Sequence, residues 1–155
     1  MKYSTKGFCP ASPIDSLGLV YMAQAAVEIA KGDAVFSDGA GYVTNVGTAF
    51  AATFLGVAAF DSDNSGGSAG DLTLGYIPAK SGQMFWVKAM TVVLVAATHV
   101  GTTVDLGAND AILPGTTTCV YYGFKIVKVD VSTAALAADA QGFAKGYFVN
   151  TANES

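Results

Sequence analysis

The chain has 155 residues, a formal net charge of −4 and only 13% charged residues. A chain of this length fits one compact domain, and its charged share is about half of that in an ordinary soluble domain. With 52% hydrophobic residues, 9 Phe and 7 Tyr, the composition excludes intrinsic disorder for most of the chain. So much apolar surface on so few charges indicates that a partner buries part of it.

The charge balance excludes further classes of function. All 8 basic residues are lysines, against 12 acidic residues, and the sequence shows no basic cluster of the kind that binds nucleic acid. Arginine, the usual fork for carboxylate and phosphate groups, is absent. The charge-free stretch 39–60 is long enough to span a bilayer, but its Thr, Asn and Gly residues fit two short strands better. We therefore expect neither a nucleic-acid nor a membrane partner.

The first 16 residues predict an extended arm, because residues before Pro10 and Pro13 are pushed away from the helical region. Such an arm either docks on a neighbouring subunit or is a frayed terminus, and the sequence leaves both open. Pro10, Pro13 and Asp15 also interrupt the region where a secretion signal would need its apolar core. Residues 17–24 fit a helix or a strand, and 25–30 alternate as a strand does.

From residue 34 the pattern is β. A hairpin is expected where two strand runs flank the Gly-containing turn 38–41, and Gly56 is expected to mark a bulge or a close backbone approach. Residues 61–71 and 106–114 are predicted to be loops. Strands are predicted at Ala34–Ser37, 42–46, 51–60, 72–77, 84–88, 91–97 and 101–105.

The segment 121–131 predicts a bulged strand. Phe124 and Ile126 share one parity and Val129 and Val131 the other, so one extra residue near Val127 must switch the inward face. A short helix with a polar cap and a terminal Gly is expected near 133–141, followed by a last strand at Phe143–Asn150.

Short strands with frequent turns predict an all-β fold, a small β-barrel or β-sandwich of short antiparallel strands with an extended N-terminal arm. The expected organisation is an arm at 1–16, one β-rich domain at 17–150 and a polar tail at 151–155. A weak internal echo suggests two related β-units within the domain, at about 25–88 and 89–150.

No constellation of residues predicts an enzyme. His99 is the only histidine and no Gly-x-Ser-x-Gly elbow accompanies it. Asp61, Asp63 and Gly66 match a calcium loop in part, but Leu72 occupies the position that needs a bidentate Glu. Cys9 and Cys119 are expected to be unpaired thiols, although their spacing does not exclude a bridge. No cofactor and no metal site are predicted.

A few apolar side chains are candidates for contact with a partner. Phe85-Trp86 fits a core position, an interface or a carbohydrate platform, and the arm carries apolar anchors. The predicted contacts with a partner or a neighbouring subunit are Phe8, Cys9, Pro10, Pro13, Phe85 and Trp86.

Four short motifs follow one another in the first half of the chain. They are Lys31-Gly32-Asp33-Ala34-Val35, Asp38-Gly39-Ala40-Gly41, Phe54-Leu55-Gly56-Val57-Ala58 and Gly70-Asp71-Leu72-Thr73-Leu74. Their order resembles the capsid cement, or head decoration, proteins of tailed bacteriophages. The resemblance covers roughly residues 27–88, and 91–150 matches none of these motifs.

The resemblance implies a structural virion protein of phage particles that is made in the host cytoplasm and binds the outer surface of an expanded icosahedral capsid. Its implied partners are the major capsid protein and two further copies of itself, as a homotrimer that provides capsid stabilisation. One alternative is another phage or surface structural subunit, such as a tail-tube protein. A third is a carbohydrate-binding β-sandwich, which would require Trp86, Tyr121 and Tyr122 to be exposed.

Overall fold

A computed structural model describes residues 7–14, 21–23, 27–45, 53–79, 82–116, 119 and 121–150. Within these ranges the protein is all-β, with short strands and two short helices, as the sequence predicts. In chain order the elements are β1 Cys9–Pro10, β2 Tyr21–Ala23, β3 Glu28–Ile29, β4 Ala34–Ser37, β5 Tyr42–Thr44, β6 Phe54–Ala58, β7 Ser62–Asp63, β8 Thr73–Leu74, β9 Tyr76–Pro78, β10 Met84–Ala89, α1 Ala96–His99, β11 Thr103–Ala108, β12 Ala111–Leu113, β13 Tyr122–Asp130, α2 Thr133–Ala138 and β14 Phe143–Asn150.

Five strands of the C-terminal half close into a barrel. The order β10-β12-β11-β13-β14 returns to its start because β14 also pairs with β10. The β10–β12 pair is parallel and short, and it joins only the last two residues of β10. β1 pairs with β10 just before that point, at Cys9↔Trp86 and Pro10↔Phe85. The arm therefore pairs with β10 along residues that β12 does not reach.

The N-terminal half forms an open sheet with the order β8-β2-β5-β4-β6-β9, and β3 and β7 form a separate two-stranded ladder. Apart from β1, which joins the barrel sheet, the two larger sheets divide the chain between β9 and β10. One apolar core joins them, since Phe54 of the open sheet lies 5.0 Å, between ring centroids, from Phe148 of the barrel. Neither sheet buries its inner face without the other.

Several local predictions are confirmed. The hairpin of β4 and β5 turns through 38–41, where the Asp38 carboxylate accepts from the backbone N–H groups of Ala40 and Tyr42. The register of β13 and β14 shifts between Ile126 and Lys128, which places the predicted bulge at Val127. A methyl group at Gly56 would collide with the backbone oxygen of Ile77, so that glycine does mark a close approach.

The predicted helix also forms, as α2, with the Ser132 hydroxyl accepting from the Ala135 N–H. It ends at Ala138, a few residues earlier than expected, and Gly142 turns the chain with φ 82°. A helix-capping side chain followed by small helix formers was therefore a sufficient local pattern.

Two predictions are wrong. Residues 91–97 form no strand: the chain leaves the sheet after Ala89, Thr91 has φ 62°, and α1 follows. Only Leu94 of that segment points into the core, so its valines have no neighbouring strand to pair with, and β-propensity depends on such neighbours. Conversely, the predicted loop 106–114 contains the end of β11 and all of β12, which form a hairpin with Leu106 opposite Ile112.

Candidate functional site

Three of the six predicted contact residues are buried within the chain itself. Phe8 is 2% exposed and packs between the rings of Phe85, Phe124 and Phe148, with centroids 6.2, 5.7 and 5.3 Å away. The Phe8 N–H donates to the Gly32 oxygen at 2.8 Å. The described part of the arm is thus extended, as predicted, but it docks on its own barrel and fills its core.

Two of the other five predicted contacts, Phe85 and Trp86, are also buried within the chain. Phe85 is in the barrel core, and Trp86 is buried outside the barrel wall against Phe143 and Ala135. Cys9 and Pro10 are half-buried in β1, and Pro13 is exposed. Burial removes Phe8, Phe85 and Trp86 from the side chains that a partner can reach in this structure, and it also removes Trp86 as a carbohydrate platform.

Of the two tyrosines named with that platform, only one is exposed. Tyr121 stands at the start of β13 with 46% of its surface accessible. Tyr122 packs edge-on against Phe54, with ring centroids 5.4 Å apart. Trp86, Tyr121 and Tyr122 therefore do not form a common exposed aromatic surface.

His99 is buried, and both of its hydrogen bonds in this turn join it to the backbone of Val95. The His99 ring Nδ1 accepts the Val95 N–H at 2.8 Å, and the His99 backbone N–H donates to the Val95 oxygen at 2.8 Å. These two bonds close the single turn of α1. The His99 side chain therefore stabilises the helical turn before β11.

The two cysteines are free thiols, as expected. Cys119 is half-buried beside β11, where its Sγ lies 3.9 Å from the Thr103 oxygen. Burial, and then the nearby Asp105 carboxylate, raise the pKa of the Cys119 thiol to about 11. A thiol held protonated in this way is a poor nucleophile at neutral pH.

The loop 61–71 uses its carboxylates to hold its own backbone. Asp63 accepts from the Ser65 N–H and hydroxyl, which lowers its pKa, and Asp71 accepts from the Ser68 N–H. Asp61 accepts the Lys31 N–H at 2.7 Å. Among the residues that the structure describes, no group of three or more His, Cys, Asp and Glu side chains is placed to hold a metal ion.

The Gly32-Asp33 motif forms a junction between the arm, the open sheet and the barrel. Gly32 donates to the Ala58 oxygen at 2.9 Å, and the next strand residue, Ala34, donates to the Asn109 oxygen of the β11–β12 turn at 2.6 Å. The Asp33 carboxylate is buried and accepts from the Ala30 N–H and the Asn45 amide, each at 2.9 Å. Burial raises its pKa. These motif residues, which are among those that carry the family resemblance, thus connect the open sheet to the barrel.

The most conspicuous surface is one end of the barrel, formed by 91–100 before β11 and 131–140 after β13. The Leu94 N–H donates to the Gln141 oxygen at 3.0 Å, so the two segments lie side by side. Each segment exposes eight residues, and none of these is charged. We call these two segments, with the adjoining Val127, the apolar end. Its exposed large side chains are Val92, Val93, Val95, Val100, Val127, Val131 and Leu136.

The size of the apolar end decides what kind of contact it makes. Its seven large side chains are 38–53% exposed, so burying the remainder is worth about 1 kcal/mol each and about 7 kcal/mol in all. Bringing two bodies together costs about 4–15 kcal/mol. A single isolated contact through this surface would be weak, whereas a partner that offers further contacts would be held well.

A second surface lies on the outer side of the β13–β14 wall. Lys128 stands directly opposite Lys145, and Lys125 opposite Tyr147. We call Lys125, Lys128 and Lys145 the lysine face. The sequence showed no basic cluster, because these lysines are brought together only by the bulged register of two strands.

The sequence matches no model of a known protein family, and a search of curated proteins found no match. Among the described residues no helix is long and apolar enough to cross a membrane. The function is therefore inferred from the surfaces of the fold and from the motif order.

Proposed function

We propose that the protein is a structural virion component that binds the outside of an assembled tailed-phage capsid and stabilises it as a cement protein. The observation that carries the proposal is the apolar end, where a closed barrel exposes uncharged side chains that lie outside its own core. The motif order from Lys31 to Leu74 supports the same conclusion. The partners are the major capsid protein and further copies of this chain, as trimers on the shell.

The apolar end is the surface that faces the shell in this proposal. Its two segments are connections between strands, so the barrel behind them is a rigid support for the contact. Absence of charge suits a surface that becomes fully dry on binding, because a buried unpaired charge would cost several kcal/mol. Asp139, the charged residue within the two segments, is half-buried, and its carboxylate accepts the Gln141 N–H at 3.1 Å.

Stabilisation then follows from mass action. A ligand that binds only the assembled, expanded shell lowers the free energy of that state by an amount that grows with ligand concentration. A weak contact at each site is sufficient, because many copies bind one particle and their contributions add. The modest contact energy of the apolar end is therefore compatible with a large effect on the whole shell.

The proposal is tested by co-sedimentation of the purified chain with expanded capsid shells that carry no decoration protein. Unexpanded shells are the control, since they contain the same capsid subunits in another arrangement. Saturable binding to expanded shells alone is expected, together with a raised melting temperature of the shells. Equal binding to both forms, or to neither, would remove the cement function.

A further inference from the structure

The lysine face has no ion-pair partner within the described part of the chain. Its three lysines and the neighbouring Asp130 give this face a charge of 3 − 1 = +2. The whole chain carries −4, so everything outside this face sums to −4 − 2 = −6. Like charges directly opposite each other, such as Lys128 and Lys145, destabilise a sheet. An acidic surface laid over them would relieve that repulsion.

The loop 61–71 provides such a surface on the other half of the molecule. It exposes Asp61, Asp63 and Asp71 and contains no lysine. Two apolar side chains flank it: Phe60, at 57% the most exposed large hydrophobic residue in the described part of the chain, and Leu72. The ends of the loop are held together, since the Ala59 N–H donates to the Gly75 oxygen at 3.0 Å. We call residues 60–72 the acidic loop.

We propose that the lysine face of one copy binds the acidic loop of a second copy. The two surfaces are complementary in charge, and each adds apolar area: Tyr147 beside the lysines, and Phe60 with Leu72 beside the aspartates. They belong to different sheets, the closed barrel and the open sheet. The second copy is the occupant because its surface outside the lysine face is strongly acidic.

A contact between two different surfaces is heterologous, so it repeats from copy to copy and closes into a ring or grows into a filament. The contact concerns the free chain and is independent of capsid binding. Because it relies on exposed charges, salt weakens it.

The test is sedimentation equilibrium of the full chain from micromolar to millimolar concentration, at low and at high salt. The average mass is expected to rise above that of the monomer at low salt and to fall back at high salt. Lys128→Glu combined with Lys145→Glu should weaken the association about tenfold or more. Lys128→Arg combined with Lys145→Arg is the matched control and should associate as the wild type does.

The acidic side is tested with conservative amides. Asp63→Asn and Asp71→Asn keep the oxygens that accept from Ser65 and Ser68, so the loop retains its shape while it loses two charges. The pair of changes should weaken association as the lysine reversals do. Carbodiimide coupling of a mixture of heavy-isotope and ordinary chains should link the lysine face of one chain to the acidic loop of the other.

Three results would overturn the contact. A chain that stays monomeric at every concentration would do so, as would an association that neither salt nor the lysine reversals change. The third is an association that the lysine reversals weaken but the aspartate changes leave intact, since the lysines would then bind another surface. None of these outcomes depends on whether the chain binds shells, so the two proposals fail separately.

Discussion

Replacing Phe8 by alanine should destabilise the free protein severely. The side chain is 2% exposed and makes contacts with three aromatic rings of the barrel core. Truncating a buried Phe to Ala costs about 3–5 kcal/mol, because transfer energy is lost and a cavity remains. For a domain of this size about 4 kcal/mol corresponds to a fall in melting temperature of roughly 10 °C.

Urea unfolding followed by Trp86 fluorescence is the assay, since Trp86 is the only tryptophan and its strand pairs with the arm at Cys9. Phe8→Leu keeps most of the apolar volume and should cost about 1–1.5 kcal/mol. Ile14→Ala changes an exposed residue of the same arm and should stay within about 0.5 kcal/mol of the wild type.

The refuting result is a loss below about 1 kcal/mol for Phe8→Ala, which is what an exposed residue would give. That result would mean that the arm does not fill the barrel in solution. It would also restore the expectation that the first residues serve a neighbouring subunit and not the fold of their own chain.

Three further substitutions or modifications test individual sites. Gly56→Ala should cost about 2–4 kcal/mol, because the added methyl meets the backbone of the neighbouring strand, whereas Gly66→Ala, which meets nothing within 4 Å, should be nearly neutral by the same urea titration. Asp33→Asn should leave the fold intact. Folding raises the pKa of the Asp33 carboxyl, so this group stabilises the protein fully below its unfolded pKa near 4, and that stabilisation is lost as the pH rises through the folded pKa. In unfolding experiments the free energy of unfolding of the variant should therefore rise relative to that of the wild type from about pH 4 upward. With a pKa of about 11, Cys119 should be alkylated at pH 8 roughly two hundredfold more slowly than a free thiol, and urea should abolish the difference measured by mass spectrometry.

Local patterns predicted those parts of the fold whose cause lies within a few residues. The parity change around Val127 predicted the bulge, because a strand with one buried face fixes its register through alternation. Asp38 and the glycines after it predicted the β4–β5 hairpin, and Ser132 predicted the start of α2. In each case the side chain that decides the structure lies within the element itself.

The predictions from the sequence were wrong where a residue's neighbours in space come from distant parts of the chain. The valines at 92, 93 and 95 resemble a strand, yet no strand lies beside them, and their exposure is what makes the apolar end. Leu106 and Ile112 were predicted to lie in a loop, although they face each other across the β11–β12 hairpin.

The candidate surfaces depended even more on long-range packing. Phe8 fits an interface anchor by sequence, and only the barrel shows that it is a core residue. Lys128 and Lys145 are far apart in the chain and become neighbours through the bulged register of β13 and β14. A single sequence carries no local pattern that pairs them.

The cement function is tested most directly by comparing shell binding of Val93→Lys and Tyr121→Lys. Val93 and Tyr121 are similarly exposed, at 53% and 46%. Val93 lies in the apolar end, whereas Tyr121 lies before the start of β13, the strand that runs toward the apolar end. If the apolar end faces the shell, Val93→Lys loses co-sedimentation with expanded shells while Tyr121→Lys retains it, and both melt as the wild type does. Wild-type binding by Val93→Lys would contradict the account, because a lysine cannot be buried in a dry contact without a large loss of affinity.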